Sequence, residues 1–134
     1  MKTVFFNDGG YIKKEATGAG VYQFILKKGQ NKKVLYIGES YSMLSRCAQH
    51  IYELEKDTSY FGLTEHWNDE SLELVVDIYE SVNVEGLSNS KRDILLREKE
   101  LKVIEKEKPL AQNETSDILR KQRAKYVKKY LDSI

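Results

Sequence analysis

Apolar and polar positions alternate along this chain in two different periods. Val21, Gln23 and Ile25 alternate with Tyr22, Phe24 and Leu26, which predicts a strand over residues 21–27, opened by Gly18 to Gly20. The polar loop Lys28-Gly29-Gln30-Asn31-Lys32 divides it from the apolar run Val34 to Ile37, and two short runs split this way form a β-hairpin. Leu72 to Glu80 alternates again, with Leu72, Leu74, Val76 and Ile78 on one face. Met1 to Phe6 reads as a further strand, ended by the turn signal Asn7-Asp8-Gly9-Gly10.

From Ser42 the spacing becomes helical: Met43, Leu44, Cys47, Ile51 and Leu54 recur at three- and four-residue steps, with Ser40 or Ser42 as the cap. Residues 58–68 read as irregular and carry Tyr60, Phe61 and Trp67. A second helix is expected from Lys91, after Ser90, with Ile94, Leu95, Leu101 and Ile104 as its apolar stripe. It stops before Pro109, the one proline. A last helix over 116–131 would bury Ile118, Leu119, Tyr126, Val127, Tyr130 and Leu131. This order predicts an α+β fold: a small three-stranded mixed or antiparallel sheet packed by helices, with an extra N-terminal strand and a basic C-terminal helix.

A chain of 134 residues has room for one core. It contains no apolar run long enough to cross a bilayer, so no membrane partner is expected, and Met1 to Phe6 lacks the layout of a secretory leader. The single cysteine, Cys47, excludes a disulfide framework and a Cys-based zinc site and predicts a cytoplasmic protein. The net charge of +1 is unevenly spread. Six Lys/Arg against two Asp give residues 117–134 a balance of +4, leaving −3 for the rest. Phosphate neutralisation supplies much of nucleic-acid affinity, and the basic groups concentrate towards the C-terminus.

Phosphodiester hydrolysis requires a carboxylate for a divalent metal, a base for the attacking water and a cation for the phosphoryl oxygens. Arg46 and His50 lie four residues apart on the first helix and so share a face; a solvated helix face has the same spacing. Glu98, Glu100, Glu105 and Glu107 are equivalent by composition. Tyr22 and Tyr36 are strand tyrosines, core or edge residues in most folds, and a phenol needs a neighbouring cation to act as a base.

Together these residues carry a resemblance. GVYQFIL…VLYIGESYSMLSRCAQH, with arginine eight residues after the second glycine, resembles the GIY-YIG nuclease superfamily, in its small single-domain form. The segment from Glu100 through Ile104 to Pro109 is similar to that family's metal-binding segment and singles out Glu100. The resemblance spans Gly20 to Asn113. It implies a nuclease domain over 1–113, the N-terminal strand included, with the helix of 114–134 packed on it. It implies Tyr22 as general base or water-orienting group, Tyr36 bound to the phosphate or the base, Arg46 and His50 at the phosphoryl group, and Glu100 holding Mg²⁺ or Mn²⁺. Gly20 and Gly38 would permit close backbone approach. Glu39 departs from the family pattern, a carboxylate where relatives carry lysine or a small polar residue. At the terminal asparagine position stands Gln112, with Asn113 one further on taken as the counterpart.

The expected activity is metal-dependent hydrolysis of DNA, double- or single-stranded. Arg120, Lys121, Arg123, Lys125, Lys128 and Lys129 of the last helix, the hairpin lysines Lys27, Lys28, Lys32 and Lys33, and Asn113 are the candidate nucleic-acid contacts. The alternative is a nuclease-fold protein that binds nucleic acid without cleaving it, or cleaves only with an activating protein partner. The apolar stripe running to Ile134 is a candidate homodimer face.

Overall fold

The alternating segments pair into one mixed sheet, although not between sequence neighbours alone. In a computed structural model of the protein, residues 1–112 and 117–134 are described, the side chains of 117–121 excepted. The strands are β1 (Lys2–Phe5), β2 (Asn7–Asp8), β3 (Tyr11–Ile12), β4 (Gly20–Lys28), β5 (Asn31–Ser40) and β6 (Leu72–Ser81). The helices are α1 (Met43–Lys56), α2 (Asn89–Glu107) and α3 (Asp117–Asp132), with short 3₁₀ turns at Lys14–Thr17, Thr58–Phe61 and Thr64–His66. The main sheet runs β1-β6-β4-β5, and β2 and β3 form a separate two-stranded hairpin. β4 is antiparallel to both neighbours, while β1 joins β6 in parallel. The N-terminal strand is therefore a fourth member of the sheet.

β4 is central and is covered on both faces. Tyr22, Phe24 and Leu26 enter the main core with Cys47 and Leu54 of α1, Phe61, and Val127 and Leu131 of α3. Val21 on the opposite face packs with Ile37 and with Val103 of α2. Full burial of each such side chain is worth about 1.5–3 kcal/mol. Gly20 admits the neighbouring strand: a Cβ there would lie 2.3 Å from the Glu80 carbonyl oxygen.

The apolar stripes expected on the last two helices are corrected in part: Ile104 and Tyr130 pack against the core as expected, while other members do not. On α2 the buried residues are Leu96 and Val103, while Ile94 is 60% and Leu101 50% exposed. The face that meets the sheet is Leu96, Glu100, Val103, at steps of four and three, with a carboxylate inside it. On α3, Val127 and Leu131 are buried as expected, but Tyr126 is 57% exposed and Arg123 only 6%. Its inward face is Arg123, Val127, Leu131. Ile118 and Leu119 lie outside the described side chains. Leu131 is buried in the core, and the partly buried Ile134 packs against it. α2 also starts earlier than expected, with Ser88 rather than Ser90 as the cap, its side chain accepting from the Lys91 N–H. Among the described residues no helix is long and apolar enough to cross a membrane.

Candidate active site

Each of the three helices carries a polar residue in its inward face, namely His50, Glu100 and Arg123, and all three approach the tyrosines of the β4–β5 pair. Tyr22 lies opposite Gly38 in the strand register, and its ring lies across that glycine. A Cβ at position 38 would sit 2.2 Å from the Tyr22 hydroxyl oxygen and 2.3 Å from Cζ. Gly38 is thus required for space, and the missing side chain lets the phenol reach α1. There the Tyr22 hydroxyl is 2.7 Å from His50 Nε2, and His50 Nδ1 is 2.9 Å from the Tyr60 hydroxyl. The half-buried Tyr36 ring stands 5.3 Å from the imidazole, centroid to centroid.

Burial pushes the Tyr22 phenol far above its usual pKa, with Tyr36, Cys47 and Glu100 adding to the rise and Arg46 opposing it. Tyr36 is raised by burial and then by Glu100, against Arg46 and Arg123. Burial, helped by Arg46 and Arg123, lowers His50 to about 3. The imidazole is therefore neutral at ordinary pH, with one nitrogen a donor and the other an acceptor. One of its two tyrosine partners donates to it and the other accepts.

The lowered His50 pKa has a consequence for stability. Below about pH 6.5 the unfolded imidazole takes up a proton that the folded one refuses until about pH 3. The contribution is fully present above 6.5 and is lost as pH falls towards 3. Between pH 7 and 4.5, wild type is expected to lose about 2–3 kcal/mol more than His50→Gln. Urea denaturation at the two pH values reads this directly, and parallel losses would contradict it.

Glu100 lies at the outer edge of β5. Along that edge the Val34 and Leu35 carbonyls accept from the N–H groups of Leu110 and Ala111, at 3.1 and 2.8 Å. The Gln112 side chain then makes both hydrogen bonds to the Ile37 backbone, at 2.9 and 2.8 Å. Two residues on, the Glu39 N–H donates to the Glu100 carboxylate. Burial raises the Glu100 carboxyl and the neighbouring Glu39 charge raises it further, while Arg97, 3.5 Å away, opposes. Glu39 is likewise raised by burial and Asp93, against Arg97, Arg92 and Arg46. Arg46 is exposed and donates to Gln49 at 2.8 Å. A depression of about 410 Å³ lined by Ser40, Tyr41, Ser42, Ser45, Arg46 and Gln49 opens beside it.

Tyr22, Tyr36, Arg46, His50 and Glu100 are accordingly brought into one neighbourhood. The hairpin lysines are not. Lys27 and Lys28 pair with Lys32 and Asn31 at the far end of the hairpin, about 20 Å along the strand from Gly38 at 3.3 Å per residue, and Lys28 is engaged with Asp69. Arg123, expected as a phosphate contact, is turned into the protein: its guanidinium donates to the Tyr60 carbonyl and lies 5.5 Å from the Phe61 ring centre. Burial lowers its pKa to about 10. The reason is the close packing of α3 on the Thr58–Phe61 turn, where a Cβ on Gly62 would meet the Ala124 Cα at 2.8 Å. The side chains of Arg120 and Lys121, and Asn113 altogether, lie outside the described residues.

Several participants carried no sequence signal of their own. Tyr60 reaches His50 from an irregular segment. Gln112 pins β5 through both hydrogen bonds to the Ile37 backbone. Arg92 stacks over the Tyr41 ring at 4.3 Å, and Arg97 could have been found as the i, i+3 partner of Glu100.

Mg²⁺ or Mn²⁺ takes oxygen ligands, one or two carboxylates with water and phosphate completing the shell. Glu100, a mostly buried carboxylate at a strand edge with Glu39 beside it, fits that requirement. Among the described residues no group of three or more His, Cys, Asp or Glu gathers to hold a metal, so a closed four-ligand site of the zinc type is not assembled from them. Compared with protein-family models, curated proteins and solved structures, the chain shows no significant match.

Proposed function

We propose that this protein is a divalent-metal-dependent endonuclease that hydrolyses DNA phosphodiester bonds. The observation that carries the reading is the convergence of Tyr22, Tyr36, Arg46, His50 and Glu100 on the Gly38 end of the β4–β5 pair. Glu100, with Glu39 next to it, would hold Mg²⁺ or Mn²⁺. Bound there, the metal would withdraw charge from the phosphoryl oxygens and the leaving oxygen.

The remaining steps belong to the chain. Arg46, exposed beside the depression, offers its planar fork to the phosphate. Tyr36 stands beside His50 and within the fields of Glu100 and Arg46, where its hydroxyl can hold a phosphate oxygen or the water. Tyr22 accepts a proton from water only by releasing its own to His50 Nε2. With a pKa of about 3, His50 cannot store that proton and must give up the one on Nδ1 to the Tyr60 hydroxyl, which passes its own to solvent. Tyr60 is on this reading a positioning residue.

One observation favours the second reading, a binding protein of the same fold that does not cleave or needs an activating partner. Tyr22 is only 1% exposed, so its hydroxyl is closed to bulk water. The test is incubation of the protein with plasmid and single-stranded DNA in Mg²⁺ or Mn²⁺ and in EDTA. Cleavage with either metal and none in EDTA is expected. Retention of DNA with no cleavage under single-turnover conditions would select the binding reading.

A further inference from the structure

A second surface gathers groups that the proposed chemistry does not use. Tyr126, Lys129 and Tyr130 recur on α3 at i, i+3 and i+4, one helix face, and Ser133 follows just past its end. With Lys33 of β5 and the segment Lys108-Pro109-Leu110 they line an open groove of about 440 Å³. Three of these eight residues are lysines, two are tyrosines, and none is acidic. The groove wall is fixed, because the Leu110 N–H is bonded to the Val34 carbonyl at 3.1 Å. The core does not need the Tyr126 ring, which is 57% exposed while its neighbour Val127 is fully buried.

We propose that this groove binds single-stranded nucleic acid, with Lys33, Lys108 and Lys129 on its phosphates and an unpaired base stacked on Tyr126 or Tyr130. Charge complementarity selects a polyanion, since none of the residues lining the groove is acidic. The rings then choose among polyanions. Unpaired bases offer free flat faces to a tyrosine, whereas a duplex keeps those faces stacked internally and an acidic peptide has none. Lys33 and Lys129 are 96 positions apart in sequence, so only the docking of α3 near the β5 edge creates the site. The inference goes beyond the nuclease reading and does not depend on it, because binding here requires no metal and no bond cleavage.

The test uses the full chain in EDTA, with fluorescence anisotropy of a labelled oligothymidylate of about 15 nucleotides, a length within the span such sites cover, and of a matching duplex. Tyr126→Ala is expected to weaken single-strand binding about tenfold and to leave duplex binding within about twofold, while Tyr126→Phe stays near wild type. Lys33→Glu with Lys129→Glu is expected to weaken binding and to flatten the slope of log affinity against log salt by about 1.4, at about 0.7 per phosphate contact. Thermal melting shows whether each variant is folded, and the two variant sets probe the groove independently. Four results would overturn the proposal: no oligonucleotide binding by wild type, unchanged affinity in both folded variant sets, equal losses on single strand and duplex for Tyr126→Ala, or equally strong competition by polyglutamate. A dimer that Tyr126→Ala dissociates would also overturn it, giving the groove to a second copy of the chain.

Discussion

Arg46→Ala and Glu100→Gln are each expected to lower metal-dependent DNA cleavage by about a hundred- to a thousandfold, the usual loss when a group that stabilises transition-state charge is removed. What separates this from damage to the fold is the behaviour of stability. Arg46 is exposed, so its removal should change unfolding free energy by no more than about 0.5 kcal/mol. Glu100 is more telling. Burial and the Glu39 charge disfavour its ionised form in the folded protein, so a neutral isostere relieves strain at neutral pH. Glu100→Gln should therefore hold or gain stability while losing activity, the trade expected of a group kept for function. Its pairing with Arg97 offsets little, because Arg97 is 66% exposed and such pairs are worth about 0–1 kcal/mol. Arg46→Lys should recover part of the rate, keeping charge but not the planar fork. Cleavage rates and urea midpoints measured on the same preparations decide the matter; wild-type cleavage by either variant would remove that residue from the mechanism.

Gly38→Ala is expected to destabilise the protein by about 3 kcal/mol, the upper part of the range for overpacking a core, and to abolish cleavage with it. The new methyl would meet the Tyr22 ring at 2.2–2.3 Å from Oη and Cζ, and the ring has nowhere to retreat because it is fully buried against Phe24, Tyr36 and His50. Tyr22→Phe would not relieve the clash, since Cζ remains. Tyr22→Leu would. The cost of Gly38→Ala should accordingly shrink to about 1 kcal/mol or less in the Tyr22→Leu background, a coupling read from a double-mutant cycle. An unchanged cost in both backgrounds would show that the glycine serves the backbone and not the tyrosine.

Much of the fold was legible because strands and helices announce themselves by period. The hairpin of β4 and β5, the alternation of β6 and the run of α1 all follow from apolar spacing. The stripes of α2 and α3 did not, and for one physical cause. The inward face of each carries a charged residue, Glu100 or Arg123, which apolar counting assigns to solvent. A rotation towards Ile94 and Leu101, or towards Tyr126, then looks more hydrophobic than the true contact. The parallel pairing of β1 with β6 was equally hidden, since pairing between strands about 70 residues apart leaves no mark in either strand.

The candidate site divides in the same way. Local spacing put Arg46 and His50 on one helix face, and the paired tyrosine–glycine blocks suggested two adjacent strands. Period, capping and composition act within a few residues, so the elements and the chemical types available to them can be read from the sequence. It could not choose among Glu98, Glu100, Glu105 and Glu107 without the family resemblance. Tertiary structure brings Glu100 to the Glu39 backbone at the β5 edge. It also joins Tyr60 to His50 and Gln112 to Ile37, turns Arg123 inward, and unites Lys33 with Tyr126 and Lys129. Each of these depends on contacts between distant segments, whose geometry is set when the helices dock on the sheet.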